Sequence, residues 1–377
     1  MNIPKLRFKD NNGNDYPQWE KKKLGDIVQF LDNKRKPLEQ SERIHGKYPY
    51  YGASGIIDYI NNYIFDEELV LLSEDGANII DRNYPICYIA TGKYWVNNHA
   101  HVLKTKSQYL NKFLCEALER LNYNKYNTGT AQPKLNQDIC KNILLNIPIL
   151  HEQEKIANFF STIDKKIKNL ANTITSLENQ KKGLLQQIFS QKLRFKDKNG
   201  NNYPNWKKKK LGDLFTIKAG GDINKENFSE QYSIEFKYPV YANALTNNGL
   251  YGYSNIYKID KPSITVTGRG INVGFALSRE PFYYPIVRLL VLIPNININF
   301  TFFTESINFI HIFNESTGVP QLTAPPLSKV NVYVPNIEEQ NKIGNLFDKL
   351  NEKIDNKKAQ LEHWQQIKKG LLQQMFV

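Results

Sequence analysis

The stretch HEQEKIANFFSTIDKKIKNLANTITSLENQKKGLLQQIFS, residues 151–190, determines how the rest of the chain is organised. A near copy, EEQNKIGNLFDKLNEKIDNKKAQLEHWQQIKKGLLQQMFV, occupies residues 338–377. The seam positions, at alternating steps of four and three, are Ile156, Phe160, Ile163, Ile167, Leu170, Ile174, Leu177, Lys181, Leu184 and Ile188, then Ile343, Phe347, Leu350, Ile354, Lys357, Leu361, Trp364, Lys368, Leu371 and Met375. This heptad pattern predicts two long helices that pack on each other as an antiparallel coiled coil. The alternative is two ordinary amphipathic helices on separate domains.

A second repeat precedes each helix. Residues 5–26 read KLRFKDNNGNDYPQWEKKKLGD, and residues 192–213 read KLRFKDKNGNNYPNWKKKKLGD. Every matched residue lies 187 positions after its counterpart, as it does in the helices. The two segments differ only at Asn11/Lys198, Asp15/Asn202, Gln18/Asn205 and Glu20/Lys207. The chain is therefore two tandem units, each far longer than a solenoid repeat.

The repeated segments enclose two globular parts of mixed character. Apolar runs bounded by turn residues predict strands at residues 69–72, 86–90, 264–267 and 287–293, and short helices are predicted at 109–121 and 302–314. The fold class is therefore α/β (α+β), arranged as a pseudo-twofold tandem repeat. The predicted divisions are an N-terminal extended segment (1–23), a first globular domain (24–150), a central spacer helix (151–190), a linker (191–210), a second globular domain (211–337) and a C-terminal spacer helix (338–377).

Only short anchors match between the two globular parts. Lys47–Ala53 pairs with Lys237–Asn243, and Gly76-Ala77-Asn78 pairs with Gly270-Ile271-Asn272. Between the anchors the side chains differ freely. A near-identical frame around two divergent inserts indicates two modules of one fold that recognise different things.

Composition indicates a polyanionic partner. The chain of 377 residues has 50 basic and 37 acidic side chains, a formal charge of +13. Its three cysteines are widely spaced, which favours reduced thiols in a cytoplasmic protein. The first nine residues are too polar for a signal peptide, and no run approaches 18 apolar residues. We therefore expect a cytoplasmic protein that has no membrane partner.

Four motifs of the first half belong to a pattern found in a known family. They are Tyr51-Gly52-Ala53-Ser54-Gly55, Asn97-Asn98-His99-Ala100-His101, Thr128-Gly129-x-x-Gln132-Pro133-Lys134-Leu135 and Glu152-Gln153-x-Lys155-Ile156-Ala157. The second half keeps Glu339-Gln340-x-Lys342-Ile343, but it has Ala242-Asn243-Ala244 where the first has Gly52-Ala53-Ser54, and Tyr284–Val287 near where the first has Asn-Asn-His. With these motifs the chain resembles, over essentially its whole length, the specificity (S) subunit of type I restriction–modification systems, which has two variable target-recognition domains and two similar helical spacers.

Motifs for catalysis are missing from the sequence. It has neither a cofactor-binding glycine loop nor an Asn/Asp-Pro-Pro-aromatic tetrapeptide for methylation, and no phosphate loop for a translocase. His99 and His101 could share one face of a strand, but no third ligand has suitable spacing for zinc, so they are interpreted as structural or DNA-facing. We predict a non-catalytic chain without a metal or cofactor of its own.

DNA recognition needs cations for the backbone and amide, guanidinium or hydroxyl groups for base edges. Any single asparagine could instead be a turn residue, and any lysine a solvated one. The candidate DNA-binding residues are Ser54, Asn78, Lys93, Tyr94, Asn97, Asn98, His99, Thr128, Gln132 and Lys134 in the first domain, and Asn243, Thr246, Asn247, Asn248, Arg269, Asn272, Thr317 and Gln321 in the second.

The resemblance implies a subunit that binds a bipartite, asymmetric site on double-stranded DNA. Its implied partners are two methyltransferase (M) subunits, which would hold S-adenosylmethionine and flip the target adenine, and restriction (R) subunits that use ATP and Mg. The alternatives are a fused restriction–methylation enzyme that lacks its catalytic half, and a coiled-coil scaffold without sequence specificity. The bases recognised and the gap between the half-sites do not follow from residue types alone.

Overall fold

The structure is a computed structural model, and it describes residues 4–107, 109–129, 131–270, 272–310, 312 and 320–376. The first half contains β1 (Glu20–Lys23), α1 (Leu24–Ile27), β2 (Val28–Phe30), β3 (His45–Gly52), β4 (Gly55–Ile60), β5 (Phe65–Asp66), β6 (Leu69–Ser73), α2 (Asn78–Asp81), β7 (Cys87–Ala90), β8 (Lys93–Val96), β9 (Ala100–Thr105), α3 (Asn111–Arg120), α4 (Gln137–Lys141), β10 (Leu144–Ile147) and the long helix α5 (Leu150–Phe189). The second half contains β11 (Lys207–Lys210), α6 (Leu211–Leu214), β12 (Phe215–Ala219), β13 (Phe228–Ser229), β14 (Tyr238–Tyr241), β15 (Leu250–Ser254), β16 (Ser263–Thr267), β17 (Ala276–Arg279), β18 (Tyr284–Pro285), β19 (Leu289–Pro294), α7 (Phe300–Ile310), α8 (Ala324–Ser328), β20 (Asn331–Val334) and the long helix α9 (Ile337–Met375).

The predicted elements are largely confirmed. The strands expected at residues 69–72, 86–90 and 264–267 are β6, β7 and β16. The strand expected at 287–293 begins only at Leu289, because Arg288 has a φ of 73°, outside the range that a strand allows. The helix expected at 302–314 ends at Ile310, and residues 311 and 313–319 lie outside the described part of the chain.

The chain folds into two compact units whose boundaries fall inside the long helices. Unit 1 comprises Met1–Ala171 and Ala359–Val377, and unit 2 comprises Asn172–Lys358. Each unit therefore contains one globular domain and a part of both long helices, whereas the sequence pattern places the divisions at the helix ends.

The described residues of unit 1 form three sheets, and the central one is buried and antiparallel. Its strand order is β2-β9-β6-β7, and α3 packs against β6 and β7. A second sheet, β4-β3-β8-β5, contains the parallel pair β3 and β8, and β1 pairs with β10. The core includes Val70, Leu103 and Phe113, together with Phe160 of α5 and Phe376, which follows α9.

Unit 2 repeats this topology. The strands β12-β19-β16-β17 form the antiparallel sheet, and β13-β15-β14-β18 contains the parallel pair β14 and β18. The additional edge strand lies beside β15, whereas in unit 1 it lies beside β8. The pair β11-β20 matches β1-β10.

Within each unit the two helix parts run antiparallel. In unit 1 the rings of Phe160 and Phe376 are 6.0 Å apart, and Asp164 Oδ1 lies 2.8 Å from Lys368 Nζ. In unit 2, Glu178 Oε1 lies 2.8 Å from Lys358 Nζ, and the rings of Phe189 and Phe347 are 6.4 Å apart. Residue numbers rise on one helix as they fall on the other, which confirms the predicted antiparallel pairing inside each unit. No helix of the described residues is long and apolar enough to cross a membrane.

The repeated KLRFKD…W segment clamps the start of each long helix. The guanidinium of Arg7 donates two hydrogen bonds to the buried carboxylate of Glu152, at 3.0 and 2.6 Å, and the indole N–H of Trp19 donates a third at 3.0 Å. Arg194, Trp206 and Glu339 repeat this arrangement in unit 2. The sequence predicts that the first copy is an extended segment. The structure gives a reason for its repetition, because the buried carboxylate of each long helix is stabilised by the same arginine and tryptophan donors.

The glutamine that follows each clamp fixes the globular domain. The side-chain oxygen of Gln153 accepts a hydrogen bond from the backbone N–H of Leu110, just before α3, at 3.1 Å. Its amide nitrogen donates to the carbonyl of Pro148 at 2.9 Å. Gln340 makes the same two bonds with Asn299 and Pro335. The Glu-Gln pair of each helix therefore sets the position of the domain whose loops are described next.

Candidate nucleic-acid interface

Four loops of unit 1 meet at one end of its sheets, and we call them loop cluster 1. They are the β3–β4 turn at residues 53–54, the segments 74–78 and 97–99, and the loop 127–134, of which residue 130 is outside the described part. The backbone hydrogen bonds that join them are Asn97 N to Tyr51 O (3.0 Å), Glu74 N to His99 O (2.9 Å) and Gly76 N to Pro133 O (3.0 Å).

The β3–β4 turn is held from beneath. The phenol of Tyr88 donates to the carbonyl of Gly52 and accepts from the N–H of Gly55, at 3.1 Å for the latter. Burial raises the pKa of Tyr88, so its hydroxyl remains a donor. The hydroxyl of Ser73 donates to the carbonyl of Ala53. Ser54 is left exposed at the tip of a turn that cannot easily move.

The charged side chains of loop cluster 1 are paired with one another. His99 Nδ1 lies 2.8 Å from the carboxylate of Asp75, and Lys134 Nζ lies 3.4 Å from Glu74. Arg35 also reaches Glu74, at 2.6 Å. The cluster therefore presents carboxylates and cations in pairs.

A buried ion network supports this cluster. His101 lies in β9 with both ring nitrogens engaged: Nδ1 is 2.6 Å from Asp32 and Nε2 donates to the carbonyl of Leu135 at 2.7 Å. Burial alone would lower the pKa of His101, but the bond to Asp32 raises it to about 10. Burial likewise opposes ionisation of Asp32, yet the hydrogen bond from His101 keeps its pKa below the ordinary value. The imidazolium thereby joins the Thr128–Leu135 motif to the sheet.

This network contains the metal-capable cluster of the described residues, namely Asp32, Glu74 and His101. Its atoms are already used, because Arg35 and Gln137 bond the two carboxylates and both nitrogens of His101 have partners. His99 is half exposed and faces Asp75 instead, so the two histidines do not converge. The arrangement is that of an ion network, and of the two interpretations of His101, structural or DNA-facing, it supports the structural one.

The pKa shift of His101 predicts how stability depends on pH. Because its folded pKa lies above the ordinary value of 6.5, its contribution is fully present below pH 6.5 and is lost as the pH rises through about 10. We expect the free energy of unfolding of the wild type to fall by about 3 kcal/mol more than that of His101→Gln between these values. Urea unfolding at several pH values measures this, with the exposed His99→Gln as the matched control. Equal pH dependence of the wild type and His101→Gln would contradict the assignment.

Unit 2 builds the same arrangement, which we call loop cluster 2. It consists of the β14–β15 loop at residues 243–248, the segments 268–272 and 286–288, and residues 320–322, with residue 271 outside the described part. The corresponding backbone bonds are Ile286 N to Tyr241 O (2.9 Å), Gly268 N to Arg288 O (2.8 Å) and Gly270 N to Pro320 O (3.0 Å). By these equivalences, Tyr284–Val287 of unit 2 corresponds to the Trp95–Asn98 stretch of unit 1.

The β14–β15 loop is four residues longer than its counterpart and has its own supports. The side chain of Asn243 accepts from the N–H groups of Gly268 and Arg269, at 2.7 and 3.1 Å, and donates to the carbonyl of Arg269 at 2.8 Å. At the C-terminal end of the loop, the buried Arg279 donates a hydrogen bond to the carbonyl of Asn248 at 2.7 Å. Its guanidinium lies 3.7 Å from the ring centre of Tyr241, and burial lowers its pKa.

Loop cluster 1 gathers some of the predicted residues and leaves out others. Tyr94 is fully buried, so its prediction as a DNA contact is wrong. Asn97 is also buried, and its amide oxygen holds the N–H of His99, while the amide of Asn78 bonds the backbone of Tyr84. Lys93 lies at the opposite end of β8, beside Asp66. The predicted residues that are exposed in the cluster are Ser54, Asn98, His99, Thr128, Gln132 and Lys134.

In loop cluster 2 the amide of Asn243 bonds backbone groups, so it has a supporting role in the loop, and its contact with a base stays a prediction. Thr317 lies outside the described residues. The predicted residues that remain on the surface are Thr246, Asn247, Asn248, Arg269, Asn272 and Gln321.

The sequence reasoning missed Asp75, Arg279 and Arg288. Arg288 takes the place of His99, a relation that only the backbone hydrogen bonds reveal. Arg279 stands in a strand and gives no motif. Asp75 directly precedes the anchor Gly76-Ala77-Asn78, and this position was the available signal for it.

Comparison with known proteins gives consistent results. A family model described as the type I restriction modification DNA specificity domain matches residues 16–179 and again 203–364. A putative type I specificity subunit of Mycoplasma pneumoniae is 26% identical over 87% of this chain and 88% of its own. The specificity subunit of the type I restriction enzyme MjaVIII of Methanocaldococcus jannaschii is 23% identical over 97% of this chain and 94% of its own. The crystal structure of the S subunit of a type I restriction–modification system from M. genitalium superposes with a TM-score of 0.71 at 19% identity, covering 99% of both chains.

Proposed function

The chain belongs to the type I restriction modification DNA specificity family, and from this premise we propose that it reads a bipartite, asymmetric DNA site, one half with each globular domain. It is a specificity subunit, the component that recognises the DNA target. One observation supports the bipartite reading. Each unit presents the same loop cluster on the same backbone hydrogen bonds, but with different side chains.

Replacement of one domain tests this proposal. We expect that exchanging Leu211–Pro335 for the corresponding domain of a foreign specificity subunit changes one half of the DNA site and leaves the other as it was. The reason is that the frame which carries each domain is nearly identical in sequence and in its Glu-Gln contacts. Sequencing of methylated positions in cells that carry the exchanged subunit measures the result.

The reciprocal exchange of Leu24–Pro148 serves as the control and should change the other half only. Altered bases in both halves after either single exchange would contradict independent domains.

We further propose that two methyltransferase subunits bind this chain, one for each repeat, and that restriction subunits join them. S-adenosylmethionine, ATP and Mg would then reside on these partners. The specificity subunits of this family are non-catalytic, and the missing methylation and phosphate-loop motifs support the same conclusion for this chain. Calorimetry that shows stoichiometric S-adenosylmethionine binding to the isolated chain would overturn it.

A scaffold without sequence specificity is the alternative from another class. Selection from random DNA separates the two functions, because a scaffold would enrich no sequence.

A further inference from the structure

Loop clusters 1 and 2 have side chains of different charge at equivalent positions. An isolated backbone β-bridge pairs Asp75 with Lys134 in unit 1, and the corresponding β-bridge in unit 2 pairs Arg269 with Gln321. The backbone bond from Glu74 to His99 corresponds to the bond from Gly268 to Arg288. Arg269 therefore replaces Asp75, Arg288 replaces His99, and Gly268 replaces the carboxylate of Glu74.

The two arginines of loop cluster 2 lack the partners that their counterparts have. The guanidinium groups of Arg269 and Arg288 make no hydrogen bond or ion pair with any residue in the described ranges. Apart from the exposed Arg120, the other arginines of the chain all bond protein groups: Arg7, Arg35, Arg43, Arg82, Arg194 and Arg279. Two of the three arginines whose guanidinium groups have no partner among the described residues therefore lie in one loop cluster.

The backbone that carries these arginines is firmly held. Arg288 is in the left-handed region at a φ of 73°, a conformation that is strained for a non-glycine residue. Such strain is typical of functional positions, where the surrounding structure imposes it. The backbone of Arg269 makes two hydrogen bonds with the Asn243 amide, and the preceding Gly268 makes a third. Two free guanidinium groups are thus presented from a preorganised surface.

The chemistry of guanidinium selects what such a surface binds. The planar fork of arginine matches the O6 and N7 acceptors of guanine in the major groove, and this pairing is the commonest specific contact in protein–DNA recognition. The buried Arg279, directly beneath the loop and without a carboxylate partner among the described residues, adds positive potential at the same place. Unit 1 offers no comparable free arginine in loop cluster 1.

We propose that Arg269 and Arg288 are specificity-determining residues that read guanine in the half-site of the second recognition domain. This inference rests on the proposed function, because it assumes that loop cluster 2 faces the DNA. The other possible role of the same groups is contact with phosphate, which would carry no sequence information.

Random-sequence DNA selection with the full-length chain, assembled with the methyltransferase subunit of its own system, tests the proposal. The domain exchange described above identifies which half-site belongs to unit 2. We expect at least one G·C pair at a fixed position in that half. Arg288→Gly and Arg269→Gln should each lower the preference for one such pair roughly 10- to 100-fold, while the other half-site stays unchanged.

The variants are chosen so that misfolding does not imitate the result. Glycine relaxes the backbone of residue 288, so Arg288→Gly should melt at the same temperature as the wild type or higher. The exposed Arg120→Gln is the matched control and should keep the wild-type site. Arg269→Lys removes the fork but keeps the charge, so it should lose the guanine preference and retain the dependence of binding on salt.

The possible results distinguish guanine recognition by the two arginines from the sequence specificity of the whole chain. A half-site made only of A·T pairs, or a loss of binding that is uniform across sequences with a salt slope reduced by about one, would overturn guanine reading and leave the specificity function intact. Failure of the wild-type complex to select any sequence would instead overturn the proposed function itself.

Discussion

Replacing Glu152 by alanine is expected to destabilise unit 1 by about 3–5 kcal/mol and to abolish recognition of one DNA half-site. The carboxylate is completely buried, and it accepts three of the hydrogen bonds that hold the N-terminal segment on α5; a further one runs from Lys155 to the carbonyl of Lys9. Its removal takes the acceptor from the indole N–H of Trp19 and the ion pair from the guanidinium of Arg7, which keeps only its bond to the carbonyl of Pro17. Hydrogen exchange read by mass spectrometry should show lost protection across unit 1.

The chain supplies matched controls for this variant. Glu154, two residues further along the same helix, is exposed, so Glu154→Ala should change the free energy of unfolding little. Glu339→Ala removes the equivalent carboxylate of unit 2 and should abolish recognition of the other half-site. Unchanged protection in unit 1 of the Glu152→Ala protein would show that the clamp does not support that unit.

A second large effect is expected from Lys368, which lies in the α9 seam. Its ammonium group contacts the buried carboxylate of Glu116 at 2.9 Å and Asp164 at 2.8 Å, and Lys112 bonds the same two carboxylates. Burial alone would lower the pKa of Lys368, but the two carboxylates raise it, so the group of four is charge-balanced. Lys368→Met leaves a net buried negative charge and should lower the free energy of unfolding by about 3 kcal/mol.

The equivalent group in unit 2 suggests a variant that tests whether Lys368→Met destabilises the protein through charge imbalance or through the loss of one ion pair. There Lys181 bonds Glu305 at 2.6 Å, and the residue equivalent to Asp164 is the neutral Asn351. Adding Asp164→Asn to Lys368→Met restores balance in unit 1 with one lysine and one glutamate, and should recover about half of the loss. Urea unfolding of the single and double variants measures this, with the exposed Lys369→Met as control. A double variant less stable than Lys368→Met would show that balance is not the cause.

The sequence predicted the repeats, the long helices and several of the strands, because these depend on local periodicity. It did not predict the meaning of the seam lysines, which look like interruptions of the heptads. Lysine can reach out of a seam along its aliphatic stem, and in the structure two of the three seam lysines, Lys181 and Lys368, each bond a glutamate of a short helix. That contact depends on tertiary packing, which no heptad count contains.

The candidate site was predicted less well, for a related reason. Asparagine in a loop suits both a base edge and an unpaired backbone group, and the fold uses Asn78, Asn97 and Asn243 for the backbone. Arg288 escaped notice because it adjoins an apolar run and its backbone conformation is set by neighbouring strands. The exposed members of both clusters stay predictions as DNA contacts.

The division of the chain into units has a consequence for protein synthesis. Unit 1 needs residues 359–376, whose Leu372, Met375 and Phe376 complete its core, yet the ribosome makes all of unit 2 before them. At about 5–20 residues per second, the apolar face of the first domain remains uncovered for roughly 10–40 s after its own residues have emerged. The second domain has every segment that it needs as soon as Lys358 emerges. The nascent chain therefore completes its second domain first. An interruption late in translation is expected to abolish DNA recognition by the first domain, although that domain is synthesised earlier.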